Sequence, residues 1–138
     1  MIYLASGAVL TKSGFNNILQ LTFSSSDTRS YSVFAIGTGT TTPAITNTTL
    51  ESTITGWAGG TANYKVYSTV SFDSASQTVT TRGFITAAEA TGKVLTEYAD
   101  MNTLATKGLA SHFVFTDGPT KTAAVQVSII TVYTRTGW

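Results

Sequence analysis

The stretch Ala124-Val-Gln-Val-Ser-Ile-Ile-Thr-Val-Tyr133 alternates apolar and polar positions through a run of β-branched residues. Branching at Cβ restricts χ1 and favours a pleated backbone, and a period of two puts one set of side chains on each face of a strand. A chain that carries such a segment commits it to a sheet. Weaker copies of the pattern recur at Asn17–Phe23, Tyr31–Ile36, Lys65–Phe72, Gln77–Ile85 and Leu109–Phe115. The segments between them are turn-prone: Ser24–Ser30, Asp73–Ser76, and Thr116–Lys121 with its Asp117-Gly118-Pro119 signal. Lys65–Phe72 and Gln77–Ile85 read as one hairpin, and Leu109–Phe115 with Ala123–Tyr133 as another.

Helical signals are short. Thr86 and Glu89 stand at capping-box spacing and predict a single turn over 86–90, and Asn47–Ser52 suggests a second. The expected fold is therefore all-β: an antiparallel β-sandwich or small barrel with at most one or two short helical turns. With 138 residues, two prolines and no linker-like run, residues 1–138 read as a single domain.

Composition then narrows the function classes. Charged residues are only 11% of the chain, where roughly 25% is usual. Ser and Thr, about 30% by count, take their place. Hydroxyls can meet a neighbouring protein surface at less desolvation cost than charges. A net charge of +1 with eight Lys and Arg and no basic face disfavours nucleic-acid binding. The absence of cysteine excludes disulfides, thiol catalysis and thiolate metal sites, and one histidine cannot build a multi-histidine site. The apolar start Met1–Leu10 lacks a basic flank and is too short to span a bilayer, so the chain reads as made and used without export or membrane contact.

No catalytic constellation emerges. Ser111 and His112 are adjacent, and adjacent strand residues point to opposite faces. His112 reads as a packed or surface residue. The acidic residues are dispersed except Glu97 and Asp100, which read as a solvated edge. Gly37-Thr-Gly39 follows a strand but lacks the helix and the Lys-Ser/Thr of a phosphate loop. No cofactor, metal or small-molecule substrate is expected, and no enzyme activity.

Three groups of residues remain of interest. Gly37 and Gly39 shape the loop that Pro43 stiffens, and hydroxyl bonds are expected to hold it. Ile2, Tyr3, Leu4, Val9 and Leu10, in an N-terminal segment 1–10 read either as an intermolecular arm or as the first strand of its own sheet, are candidate subunit contacts together with Trp138. Trp57, Asn63 and Tyr64 could form an aromatic–amide cluster of the kind that binds glycans.

Ala35-Ile-Gly-Thr-Gly-Thr-Thr-Thr-Pro-Ala44 followed by Asn47-Thr-Thr-Leu-Glu51 resembles a stretch found in a group of tailed-bacteriophage virion proteins. Leu95–Asn102 resembles the group's second motif, although Tyr98-Ala-Asp-Met101 departs from its usual Gly-Leu-Phe. Ser111–Lys121 and the strand to Tyr133 resemble its third. Order and spacing agree from about Tyr31 onward. The resemblance implies a non-catalytic virion part assembled in the host cytoplasm: a head decoration or cement subunit first, a collar, tail or fibre-attachment subunit as the alternative. Its partners would be other copies of itself and the major capsid, portal, collar or tail proteins. A carbohydrate or host-surface binding module is the alternative of another class.

Overall fold

A computed structural model of the chain describes residues 9–14, 31–57, 63–102 and 108–134. These contain eight strands: β1 (Val9–Leu10), β2 (Val33–Gly37), β3 (Lys65–Val66), β4 (Thr69–Asp73), β5 (Thr78–Ile85), β6 (Glu97–Met101), β7 (Leu109–Val114) and β8 (Val127–Thr134). They form a five-stranded sheet, β1-β7-β6-β2-β3, and a three-stranded sheet, β4-β5-β8. Every pairing is antiparallel, and the sheets pack face to face as a β-sandwich. The predicted strand Asn17–Phe23 lies outside the described residues.

The inner layer is aromatic. Phe34 and Ile36 of β2, Tyr98 of β6 and Phe113 of β7 meet Ile85 of β5, with Trp57, Tyr67 and Leu95 closing the ends. Phe34 stacks on Tyr67 at 5.2 Å and Tyr98 at 6.1 Å, and Phe113 meets Tyr98 edge-on at 5.6 Å. These are offset and T-shaped geometries that the ring quadrupole favours. Across the gap, the absent side chain of Gly83 on β5 leaves the space that the Phe34 ring fills.

The large sheet is also covered on its far side, where Val33, Ala35, Ala99, Met101 and Leu109 pack with Leu50 from the segment after β2. Burial on both faces explains why every residue of β2 and β6 is buried. β6 therefore corrects the reading of Glu97 and Asp100 as a solvated edge: they are 0% and 3% exposed, in an interior strand.

Two predicted pairings are also corrected. Lys65–Phe72 is not one strand; the chain crosses between sheets at Tyr67 and Ser68, so β3 belongs to the large sheet and only β4 makes the hairpin with β5. Likewise β7 and β8 are not partners. β7 lies between β1 and β6, while β8 pairs with β5 over eight residues. No helix forms over 47–52, where only bends occur. The 86–90 turn is present, with the Glu89 amide donating to Thr86 O at 3.1 Å and the Thr86 amide to Glu89 Oε2 at 2.7 Å.

A register shift between Asp100 and Met101 leaves Ala110 of β7 without a partner on β6. This bulge keeps Ser111 turned to the inner layer while Leu109 joins the outer one. Thr11, just after β1, serves the bulge. Its amide donates to Ala110 O at 3.0 Å, its hydroxyl donates to Leu109 O, and Thr11 Oγ1 accepts the Gly14 amide at 3.0 Å.

Candidate functional site

The chain's most organised polar groups flank β6. Residues 97 and 100 are an odd number apart, so strand geometry sends their side chains to opposite faces. Glu97 points to the outer face, where the segment after β2 folds back over the sheet. Its Oε2 accepts the amides of Gly39 at 3.3 Å and Ser52 at 3.1 Å. Its Oε1 accepts the Glu51 amide at 2.6 Å and lies 3.0 Å from His112 Nε2. The His112 ring is 2% exposed, and its Nδ1 lies 2.9 Å from Asn47 Oδ1, which also accepts the Ala44 amide at 2.6 Å. Glu51 extends the clip: Oε2 accepts the Thr40 and Thr41 amides at 2.8 and 2.9 Å, and bonding to Thr41 above all holds its carboxyl below the usual range. One buried carboxylate thus fixes both ends of the covering segment.

Gly37 and Gly39 belong to this clip. Neither adopts a left-handed backbone. At Gly39 a Cβ would come within 2.6 Å of Glu97 Oε2 and 2.7 Å of Glu51 Cβ, and at Gly37 within 2.7 Å of Ser52 O. The glycines therefore admit carboxylates and backbone, not an unusual turn. The loop is held mainly by carboxylates, with one hydroxyl pair, Thr38 Oγ1 to Ser52 Oγ at 3.0 Å, as predicted of hydroxyls. Pro43 lies half-buried within it.

Asp100 points into the sandwich. Its Oδ1 accepts from Tyr98 at 2.6 Å and from Tyr67; its Oδ2 accepts from Ser111 and from Tyr133 of β8. No cation is among these partners. Burial pushes the Asp100 carboxyl up, against the lowering effect of the hydroxyls, and burial with the Asp100 charge keeps Tyr67 and Tyr98 well above their ordinary range. The cluster ties the two sheets together, since Tyr133 belongs to the smaller one.

This arrangement does not assemble a nucleophile with a base. Ser111 and His112 face opposite sides of β7, as their adjacency predicts, and each is engaged with its own carboxylate. Among the described residues no group of three His, Asp or Glu is placed to hold a metal, and no helix is long and apolar enough to cross a membrane.

The other predicted residues are dispersed. Val9 and Leu10 form β1 and pair with His112 and Ser111, so this part of the N-terminal segment is an edge strand of its own sheet. Ile2, Tyr3, Leu4 and Trp138 lie outside the described residues. The Trp57 ring is 5% exposed beneath the Lys65 ammonium, 5.6 Å from its centroid, while Asn63 is exposed and Tyr64 half-buried. The ring is not presented for stacking on a sugar. Lys65 also pairs with Glu89; burial raises the Glu89 carboxyl, but Lys65 and the Thr86 amide outweigh it and the net shift is downward. Sequence reasoning missed Lys121, 1% exposed, whose ammonium donates to Ala87 O at 2.8 Å and Thr122 O at 2.7 Å.

What remains exposed is apolar and hydroxyl-rich. In the small sheet, Val70, Phe72, Ile130 and Val132 are all exposed, with Phe72 at 69%. An apolar cleft runs under β8 between the sheets, lined by Ile36, Leu95, Phe113, Phe115 and Pro119. No family model, curated protein or solved structure matches the chain.

Proposed function

We propose that this chain is a structural subunit of a tailed-phage virion that acts by packing against other subunits, with head decoration as its first role. The observation that carries the reading is the surface of the small sheet. Ile130 and Val132 stand exposed on its outer face and Val70 and Phe72 on the face turned toward the large sheet, among threonines and serines, with Arg82 and Asp73 the only charged residues of its three strands. Exposed apolar groups set among hydroxyls and few charges suit burial against a protein neighbour. The residues that resemble the virion proteins add support: Gly37, Gly39, Asn47, Glu51 and Glu97 converge on one clip that sets the shape of the segment over the large sheet. A carbohydrate-binding role draws no support from Trp57, whose ring is covered.

The test is the mass of the purified chain in solution, alone and mixed with phage heads that lack it. Saturable binding at a stoichiometry matching the symmetry of the shell supports decoration. A ring that forms without heads, and ignores them, replaces decoration with a collar or tail role. A chain indifferent to heads and to itself overturns the assembly reading.

A further inference from the structure

Among the described residues, β4 is the outermost strand of the small sheet and has a partner, β5, on one side only. All five of its residues are exposed. Natural edge strands are guarded against foreign pairing by lysines, prolines, bulges or a covering segment. Thr69-Val-Ser-Phe-Asp73 has no lysine and no proline, and its five pairs with β5 run without a register shift. Its single charge is turned away from the edge: Asp73 Oδ1 accepts the Ala75 amide at 2.9 Å and Oδ2 the Ser76 hydroxyl at 2.7 Å, both within the hairpin turn.

The apolar residues of β4 are misplaced for a monomer. Val70 and Phe72 pair with Thr81 and Val79, on the face of β5 that carries buried Thr81, Gly83 and Ile85 toward the large sheet. Yet they are 55% and 69% exposed. The chain enters β4 directly from β3, an edge strand of the large sheet only two residues long.

The strand is also symmetric about its centre. When two copies meet antiparallel with Ser71 opposite Ser71, Val70 of each faces Phe72 of the other, and all four apolar side chains share one face. Thr69 then faces Asp73, and no like charges oppose. This is the self-complementary pattern that an isologous two-fold contact requires. We propose that a second copy of this chain pairs with β4 in this register, joining two three-stranded sheets into one of six strands. Five residues a side fall short of the roughly 1,200 Å² buried by stable interfaces. The pair is therefore weak in dilute solution and fills where copies are held side by side. Its biological meaning rests on the subunit-packing reading above; its geometry does not.

The chain has no cysteine, so Ser71→Cys introduces a lone thiol at the two-fold axis. Ser71 is exposed, and an unchanged circular dichroism spectrum verifies the fold. Under mild oxidation at micromolar protein, the S71C chain is expected to cross-link at least about tenfold faster than a Thr91→Cys control on an exposed turn, because pairing raises the local thiol concentration toward the millimolar range. Adding Phe72→Lys should remove that advantage. In sedimentation velocity, the unmodified chain should show a sedimentation coefficient that rises with concentration and the Ser71→Lys variant one that does not. Equal cross-linking of S71C and T91C, or identical sedimentation of the unmodified and S71K chains, overturns the pairing. Binding of reduced S71C to heads is scored separately. Cross-linking without head binding sinks the decoration role and leaves the edge contact standing; head binding without cross-linking does the reverse.

Discussion

Replacing Glu97 by Gln tests whether the clip on the outer face of β6 holds the segment over residues 38–52. The two side chains have nearly the same shape, so the change isolates charge and hydrogen-bond polarity. Four donors converge on the Glu97 oxygens, three of them backbone amides. The new amide group is best placed toward His112, whose ring can switch tautomer and accept. That placement leaves the Glu51 amide, now at 2.6 Å, facing another donor. An unsatisfied buried donor costs about 1–3 kcal/mol. The bonds from Gly39 and Ser52 also lose a charged acceptor, and charge-assisted bonds are roughly twice as strong as neutral ones. Easier burial of a neutral group offsets part of this. The net is about 3 kcal/mol. With an unfolding entropy near 2.1 cal/mol/K per residue, 138 residues give about 0.3 kcal/mol/K, so Tm should fall by about 10 °C. Glu97→Ala, which removes all four acceptor contacts and leaves a cavity, should cost about 5 kcal/mol or more, comparable with the total stability of many domains. Calorimetry gives Tm, and amide exchange locates the change: Gly39, Glu51 and Ser52 should lose protection in E97Q while β5 and β8 keep theirs. A Tm within about 2 °C of the parent, with unaltered protection at those amides, would refute the clip.

Gly39→Ala should destabilise by about 1–3 kcal/mol, because its Cβ would press on both Glu97 and Glu51, and combined with E97Q it should cost less than the sum, since both changes loosen one contact; a double-mutant cycle in urea measures this. Asp100→Asn should alter the pH dependence of stability. The Asp100 carboxyl is raised in the folded state, so its contribution is complete below the ordinary carboxylate range and is lost as pH rises through the folded value; D100N, which does not titrate, should gain stability relative to the parent from acid to neutral pH, and a constant difference in urea midpoints across that window would contradict it. Thr11→Val keeps the shape but strands the Gly14 amide and the Leu109 carbonyl, which predicts a loss of about 1–2 kcal/mol in urea denaturation, with exchange at Gly14 accelerated most.

Most of the β-structure could be read from the residues, because β5, β7, β8 and the core of β2 carry the period-two pattern that sheets impose. The capping box at Thr86 and Glu89 was legible for a similar reason, since its chemistry is local. β6 was not. Glu-Tyr-Ala-Asp-Met carries acids on both faces, and nothing local tells a buried strand whose carboxylates meet N–H and O–H donors from an exposed polar segment. The split between β3 and β4 was hidden too, since Tyr67 and Ser68 contain no glycine or proline to mark the crossing. Partner choice failed for β7 and β8 because short sequence separation suggested a hairpin that the two-layer arrangement overrides. Gly37 and Gly39 were singled out for the shape of the loop, whereas their backbone is ordinary and what a Cβ would meet there is Glu97, some sixty residues away and beyond the reach of any local signal.

The two carboxylates of β6 also bear on why the exposed surface is so poor in charge. Of the six acidic side chains among the described residues, Glu97, Asp100 and Glu89 are buried, and Glu51 and Asp73 are held by backbone amides of their own loops. Lys65 and Lys121 are likewise committed, to Glu89 and to two carbonyls. Glu89, Glu97, Asp100, Lys65 and Lys121 thus serve internal positioning, where each fixes a loop or joins the sheets, while Glu51 and Asp73 are exposed and hold their own turns. The strands of the small sheet carry only Asp73 and Arg82, so little charge there opposes the approach of another protein surface. Charge is also what ordinarily keeps edge strands apart, and the one charge of β4, Asp73, is engaged by its own turn. The buried carboxylates of β6 and the lightly charged edge at β4 are thus two sides of how a small set of charges is placed: those inside fix loops and sheets, and β4 keeps one, which its own turn holds.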